Sequence, residues 1–206
     1  MQVLAISGSP RRGGNTETLL GQAVRGAAAA GGQVELVRLA ELAISPCREC
    51  QACAETGSCP TPDDMQGLYP SLRACDRLIL ASPVFFAGLS AQTKLMVDRC
   101  QACWMEKYRR HEYVIARPPG RRGVFISTCG YNSASMFDGP LATVRAFFLT
   151  LDIELAATLL YPGMDDPQAA AHRPTALAEA YRTGWQLVAG APPGQIPPSE
   201  ESHDRP

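Results

Sequence analysis

Cys47, Cys50, Cys53 and Cys59 form a C-x-x-C-x-x-C-x5-C run directly after Pro46. Three thiols at steps of three converge when the backbone winds around a centre, and a fourth beyond a flexible gap closes the shell, as an iron-sulfur cluster requires. Zinc also accepts four thiolates, although its structural sites are more often two separated C-x-x-C knuckles, and thiols or disulfides without metal are a third reading. Gly57 and Pro60 break any continuous helix here. The other four cysteines are read chiefly as packing. Cys100 and Cys103 share a helix face at i and i+3, where a redox pair is the alternative to two small buried hydrophobes. Cys75 precedes a strand, Cys129 falls in a strand-end loop, and His111, His172 and His203 make no ligand pattern.

A second chemistry-bearing stretch runs from Ser7 to Thr16, SGSPRRGGNT. It joins an apolar run to a helix-compatible one, and a helix N-terminus offers unpaired N–H groups and positive dipole to an anion. Ser9, Asn15 and Thr16 add side-chain donors, Arg11 adds charge, and Gly13-Gly14 permits close approach of a phosphate. The spacing matches neither G-x-x-x-x-G-K-[ST] nor G-x-G-x-x-G. The competing reading is that these residues merely cap the helix and make the turn. Ser82 to Ser90, with Pro83, Val84, Phe85, Phe86 and Gly88, is apolar and suits a flat heterocycle, or else a hydrophobic turn on the core. Thr128, Cys129 and Gly130 in a third loop close the other side, or form an ordinary strand-end turn.

Elements must hold these loops together. Short apolar runs predict strands over 3–6, 33–39, 73–81, 123–128 and 153–161, alternating with helices over 16–30, 64–74, 91–109, 139–151 and 168–189. The alternation predicts an α/β fold, a flavodoxin-like doubly wound five-stranded parallel sheet with a cysteine-rich loop insertion after the second strand. In such sheets ligands bind beyond the carboxyl ends of the strands, where the three loops begin. The expected organisation is one domain over 1–190, the cysteine segment at 45–62, and a Pro-rich tail at 191–206.

The chain has 206 residues and a formal net charge of -1. That balance gives no bulk signal for nucleic acid or an anionic membrane, and no apolar run has the length of a bilayer span. The N-terminus carries no secretory pattern, so a cytoplasmic protein is expected. From Lys107 to Arg122, six basic residues stand against one acidic, either a docking face for an acidic redox protein or a nicotinamide phosphate, or a solvated insertion.

SGSPRRGGNT, SPVFFAGLSAQTK with Asp98-Arg99, and STCGY together resemble the flavin loops of the NADPH-dependent FMN reductase family over roughly residues 1–150. The resemblance implies that Ser9, Arg11, Asn15 and Thr16 hold the FMN phosphate, that Pro83 to Gly88 line the isoalloxazine, and that Thr128, Cys129 and Gly130 border it. Where the family loop reads S-P-V-Y-F-G, this chain has Phe85 for Tyr and Ala87 for Gly. A tyrosyl hydroxyl is therefore missing, and a positive φ at Ala87 would be costlier than at glycine. With Cys47, Cys50, Cys53 and Cys59, the chain resembles the iron-sulfur flavoprotein branch, implying a [4Fe-4S] cluster and a homo-oligomer, dimer or tetramer. The implied function is electron passage between a one-electron donor, such as ferredoxin, and an acceptor, with no catalytic acid or base required. An NAD(P)H-dependent FMN or quinone reductase without a cluster is the alternative, and a redox-sensing regulatory or structural protein is another.

Overall fold

The computed structural model describes residues 1–112 and 117–190; the tail expected at 191–206 lies outside them. Five parallel strands form one sheet: β1 (Gln2–Ser7), β2 (Gln33–Arg38), β3 (Arg77–Phe85), β5 (Arg122–Thr128) and β6 (Glu154–Tyr161). Their order is β2-β1-β3-β5-β6, with a two-residue strand β4 (Gly88–Leu89) antiparallel to the end of β3. This is the flavodoxin order, in which the chain reverses direction across the sheet between β1 and β3 and leaves a crevice there.

The strands alternate between two cores, as a period of two requires of a sheet covered on both faces. Val3 and Ala5, Ile79 and Ala81, and Val124 and Ile126 face α1 (Asn15–Ala29) and α7 (Pro174–Ala189). Leu4 and Ile6, Leu78 and Leu80, and Phe125 face the opposite core. That core holds side chains of α3 (Met65–Ala74), α4 (Ala91–Arg99), α5 (Gln101–Tyr108) and α6 (Asp138–Thr150). Helices α1 and α7 touch backbone to backbone: a Cβ on Gly26 would lie 1.9 Å from the Tyr181 carbonyl oxygen, and one on Gly184 1.9 Å from that of Ala23.

Three elements depart from the sequence expectation. Strand β3 continues past Ser82, where a loop was expected, because Pro83 still pairs with Thr128 and a hairpin with β4 follows. The single helix expected over 91–109 is two, α4 and α5, joined at Cys100. Helix α7 starts at Pro174 rather than 168, with proline in the first turn, where its missing N–H costs no bond. Residues 45–62 form the insertion after β2, containing the five-residue helix α2 (Ala52–Thr56) between left-handed residues Gln51 and Gly57.

Candidate functional site

At the carboxyl ends of the strands, four loops surround an open pocket of about 220 Å³. Ser9, Pro10, Arg11, Gly14, Asn15 and Thr16 come from the first loop, Pro83, Val84 and Phe85 from β3, Thr128 and Gly130 from β5, and Met164 and Asp165 from the loop after β6.

Glycine makes the first loop possible at Gly8. Its N–H donates to the Ala81 carbonyl at 2.7 Å, and a Cβ there would lie 1.8 Å from Thr93 Oγ1. Ser90 Oγ caps α4 by accepting from the Thr93 N–H and donates to the Gly8 carbonyl at 2.6 Å. The first loop and the start of α4 are thereby one unit. Ser9 Oγ accepts from the Arg11 N–H at 3.2 Å and lies 3.0 Å from the Arg11 carbonyl, folding the loop over the N-terminus of α1. The N-cap, Gly14, makes no side-chain capping bond, so the first N–H groups of this fifteen-residue helix face the pocket without a capping side chain. Glu17 instead serves the loop from behind, accepting from the Gly13 N–H and from Arg38, each at 2.6 Å. Burial opposes its ionisation, but these donors hold its carboxyl below the ordinary value.

Asn15 and Thr16 line the pocket with side chains already bonded inside the protein. Asn15 Nδ2 donates to the Met164 and Asp166 carbonyls at 3.0 and 2.7 Å, and Oδ1 accepts from the Ala170 N–H at 2.8 Å. Thr16 and Thr128 share a hydroxyl hydrogen bond of 2.6 Å. These residues fasten the loops after β6 and β5 to α1, so what they offer an anion is backbone N–H.

Of the twelve residues expected around the flavin, Phe86, Gly88 and Cys129 stand outside the pocket lining. Phe86 is fully exposed at the tip of the β3–β4 hairpin, because φ values of 49° at Phe86 and 56° at Ala87 make a tight two-residue turn. Gly88 pairs with Phe85 in the hairpin. Cys129 is buried against Val84 and Phe137, while its backbone bonds Tyr161 and Met164. Pro10 and Gly14 lie within the first loop that the sequence reading singled out; it missed Met164 and Asp165. The signal for these two was the Pro162-Gly163 turn at a fourth strand end. A Cβ on Gly130 would lie 2.8 Å from Asp165 Oδ1, so glycine lets this carboxylate seat against the β5 loop.

The four sequence-predicted ligand cysteines all line one hollow, shared with Arg99, Gln101, Ala102 and Met105. Cys47 and Cys50 are exposed, Cys59 is partly buried and Cys53 is buried. The stems of the segment are closed by side chains: Asp63 accepts from the Ser45 N–H at 2.9 Å and Asp64 from the Ala43 N–H at 2.7 Å. Gln66 Nε2 donates to the Cys59 and Thr61 carbonyls. From below, buried Arg99 at the end of α4 pairs with Asp63 at 2.5 Å and donates to the Ser45 carbonyl at 3.0 Å. Its Nε is buried and has no hydrogen-bond partner. Burial raises the Cys53 thiol, and the neighbouring thiols Cys59, Cys47 and Cys50 raise it further. At Cys59 burial is outweighed by the Thr61 N–H and Arg99, which hold its thiol below the ordinary value. Glu49 and Gln51, on either side of Cys50, are left-handed with φ of 52° and 64°. Such residues are costly and turn successive backbone N–H groups toward one side, a concavity suited to an anion. Among the described residues no group of three or more His, Cys, Asp or Glu side chains is set for a single metal ion. The donor set, all sulfur with Arg99 beside it, nevertheless fits an anionic thiolate-ligated cluster.

Of the basic run from Lys107 to Arg122, three of the described residues are tied within the protein. Arg121 is buried and donates to the Leu72, Cys75 and Leu151 carbonyls, Arg117 pairs with Asp152, and Lys107 with Asp152. Among the described residues no helix is long and apolar enough to cross a membrane.

The family described as NADPH-dependent FMN reductase matches residues 1–136. An iron-sulfur flavoprotein of Methanocaldococcus jannaschii is 42% identical over 99 residues, 48% of this chain and 51% of that protein. An iron-sulfur flavoprotein of Methanosarcina thermophila is 37% identical over 99 residues, 48% of this chain and 52% of its own. The chain thus spans about half the length of these curated relatives. Among solved structures, an azoreductase from Bacillus anthracis superposes with a TM-score of 0.69 at 11% identity, covering 90% of this chain and 99% of that one. An NAD(P)H:quinone oxidoreductase from Methanothermobacter marburgensis superposes with a TM-score of 0.64 at 16% identity, covering 91% and 96%. At such identities the superpositions speak for the fold.

Proposed function

Because this chain belongs to the NADPH-dependent FMN reductase family, whose members are flavin-dependent oxidoreductases, we propose that it is an iron-sulfur flavoprotein passing electrons between a one-electron donor and an acceptor. The observation that carries this reading is the pairing of two sites on one helix. Helix α4 is capped at its start by Ser90, bonded to the first pocket loop, and ends at Arg99, bonded to the stems of the cysteine segment. Its nine residues span about 14 Å at a rise of 1.5 Å each.

FMN would supply one- or two-electron storage and the cluster one-electron transfer, which together couple partners of both kinds. In this reading the α1 N-terminus, Ser9 and Arg11 bind the phosphate through N–H groups and charge. Pro83, Val84 and Phe85 give the ring an apolar wall, and Thr128 and Gly130 border its edge. Cys47, Cys50, Cys53 and Cys59 supply the thiolates, and Arg99 offsets their charge. A small one-electron carrier such as ferredoxin is the donor we favour. Phe85 and Phe86, at 48% and 106% exposure, and Tyr131 at 70% leave aromatic surface near the pocket mouth, which supports a homo-oligomer. A second reading, in which NAD(P)H reduces the flavin directly and no cluster forms, is supported by the family description.

The test is iron, acid-labile sulfide and FMN per chain in protein purified under argon, for the wild type and for Cys→Ser at all eight cysteines. Serine at Cys47, Cys50, Cys53 or Cys59 should lower iron and sulfide while FMN stays bound; at Cys75, Cys100, Cys103 or Cys129 it should spare both. FMN without labile sulfide in the wild type would favour the second reading.

A further inference from the structure

The Arg99 side chain is 1% exposed and is fixed at both ends. At its base, the last residue of α4, buried Tyr69 Oη donates to the Arg99 carbonyl at 2.7 Å. At its tip Nη1 donates to Asp63 at 2.5 Å and to the Ser45 carbonyl at 3.0 Å, and Nη2 lies 3.5 Å from the Thr61 carbonyl. Between base and tip, the buried Nε–H has no hydrogen-bond partner among the described residues. A buried donor without an acceptor costs free energy, and folded proteins keep few of them. Arg99 also lines the hollow that Cys47, Cys50, Cys53 and Cys59 share.

Gripping the stems needs only the two Nη atoms, which lysine could replace in part. Asp63, itself buried, cancels part of the guanidinium charge. What arginine adds over lysine is therefore the Nε–H, a donor held in place before anything arrives in the hollow. The sulfurs of an anionic thiolate-ligated cluster accept hydrogen bonds, and such bonds favour the more negative, reduced state.

Resting on the iron-sulfur reading above, we propose that Arg99 tunes the cluster: its Nε–H donates to a sulfur of the group held by the four cysteines and raises that group's reduction potential. On reduction one electron enters from the one-electron carrier, no proton moves, and Nε keeps its hydrogen. The residue that ties the segment to α4 thus also sets how readily the segment's cofactor takes an electron.

Lysine carries a methylene where arginine has Nε and an ammonium where arginine has its guanidinium carbon, so Arg99→Lys deletes this donor and keeps a charge for Asp63. Cluster-loaded protein purified under argon is titrated with reductant, and the electron paramagnetic resonance signal of the reduced cluster is followed. Arg99→Lys should lower the equilibrium constant for reduction about tenfold, a fall of about 59 mV in midpoint for one electron. Asp63→Asn leaves Nε in place and uncovers the guanidinium charge, so its midpoint should rise. A role confined to holding the stems would loosen the segment in both variants and move them the same way. An unmoved midpoint in Arg99→Lys, or shifts of one sign in both variants, would overturn the proposal. Should Arg99→Lys not hold a cluster, arginine labelled with nitrogen-15 decides, in protein carrying Arg48→Gln because Arg48 also lines the hollow. Pulsed paramagnetic resonance of the reduced protein should then show a nitrogen-15 coupling, and its absence rejects the Nε–H bond. Wild-type protein without labile sulfide would remove the iron-sulfur reading and this role with it, whereas an intact cluster with an unmoved midpoint removes the role of Arg99 alone.

Discussion

Asn15 commits every polar atom of its side chain to the loop after β6, bonding Met164, Asp166 and Ala170 across about 150 residues of sequence. Asn15→Ala should therefore destabilise the protein by about 1–3 kcal/mol, the cost of leaving buried partners unpaired. It should also speed amide exchange over residues 164–170, with weaker FMN binding as a consequence of the loosened wall. Unchanged exchange there would reject the clamp. Asp63 makes a second residue-scale case. Burial works against its ionisation, yet hydrogen bonds from Arg99 and the Ser45 N–H bring its carboxyl down to about 2 from 3.8. A depressed carboxyl stabilises the fold above its unfolded value and loses that contribution as pH falls through the folded one. Stability should thus decline between pH 3.8 and about 2, by an amount on the order of 1–2 kcal/mol. Urea titrations across that range should show a shallower acid slope for Asp63→Asn than for wild type, and equal slopes would remove Asp63 from the account. The residue types of the pocket were legible because Ser, Gly, Asn and Thr after a strand can serve an anion. That Asn15 and Thr16 serve neighbouring loops was not, since their partners are fixed only once β5 and β6 lie beside β3.

The β3–β4 hairpin turns on Phe86 and Ala87, where the two-residue turn asks for positive φ at both positions and ordinarily takes Asn-Gly. Each L-residue there costs roughly 1–2 kcal/mol. Ala87→Gly should then raise stability by about 0.5–1 kcal/mol, the relief of strain less glycine's extra freedom in the unfolded chain. Gly139→Ala, at the start of α6, should do the opposite. Its Cβ would stand 2.4 Å from the Ala87 carbonyl oxygen, and relieving such overpacking costs about 1–3 kcal/mol. Thermal unfolding of the two variants should move in opposite directions; movement together would deny the turn its strained geometry. The substitution of Ala for the family glycine already marked this turn in the sequence. The break at Cys100 had no such mark, because residues on both sides of it are compatible with one continuous helix. Likewise Pro83 reads as a strand terminator, yet it can pair at the end of a ladder.

At the scale of the molecule, short apolar runs pointed to five strands, and their alternation with helices pointed to a doubly wound parallel sheet, so the fold was legible where one physical rule acts along each element. Which loops meet depends on contacts such as Gly26 against Tyr181 and Gly8 against Thr93, which only the assembled sheet creates. Because four separate loops converge on the pocket, a ligand that bridges them should hold the whole domain together. A ligand present at a hundred times its Kd stabilises the state that binds it by about 2.7 kcal/mol. For a chain of this length each kcal/mol is worth about 2–4 °C, so saturating FMN should raise the midpoint of flavin-free protein by roughly 5–11 °C. Riboflavin at the same concentration lacks the phosphate that the α1 N-terminus would hold, and should raise it far less. Adding inorganic phosphate should erode the FMN shift by competing for the same N–H groups. The comparison is a set of thermal melts of flavin-free protein with each ligand at matched concentration. Equal shifts from FMN and riboflavin, or an FMN shift indifferent to phosphate, would mean that the anion site at the head of α1 is not where the flavin is held.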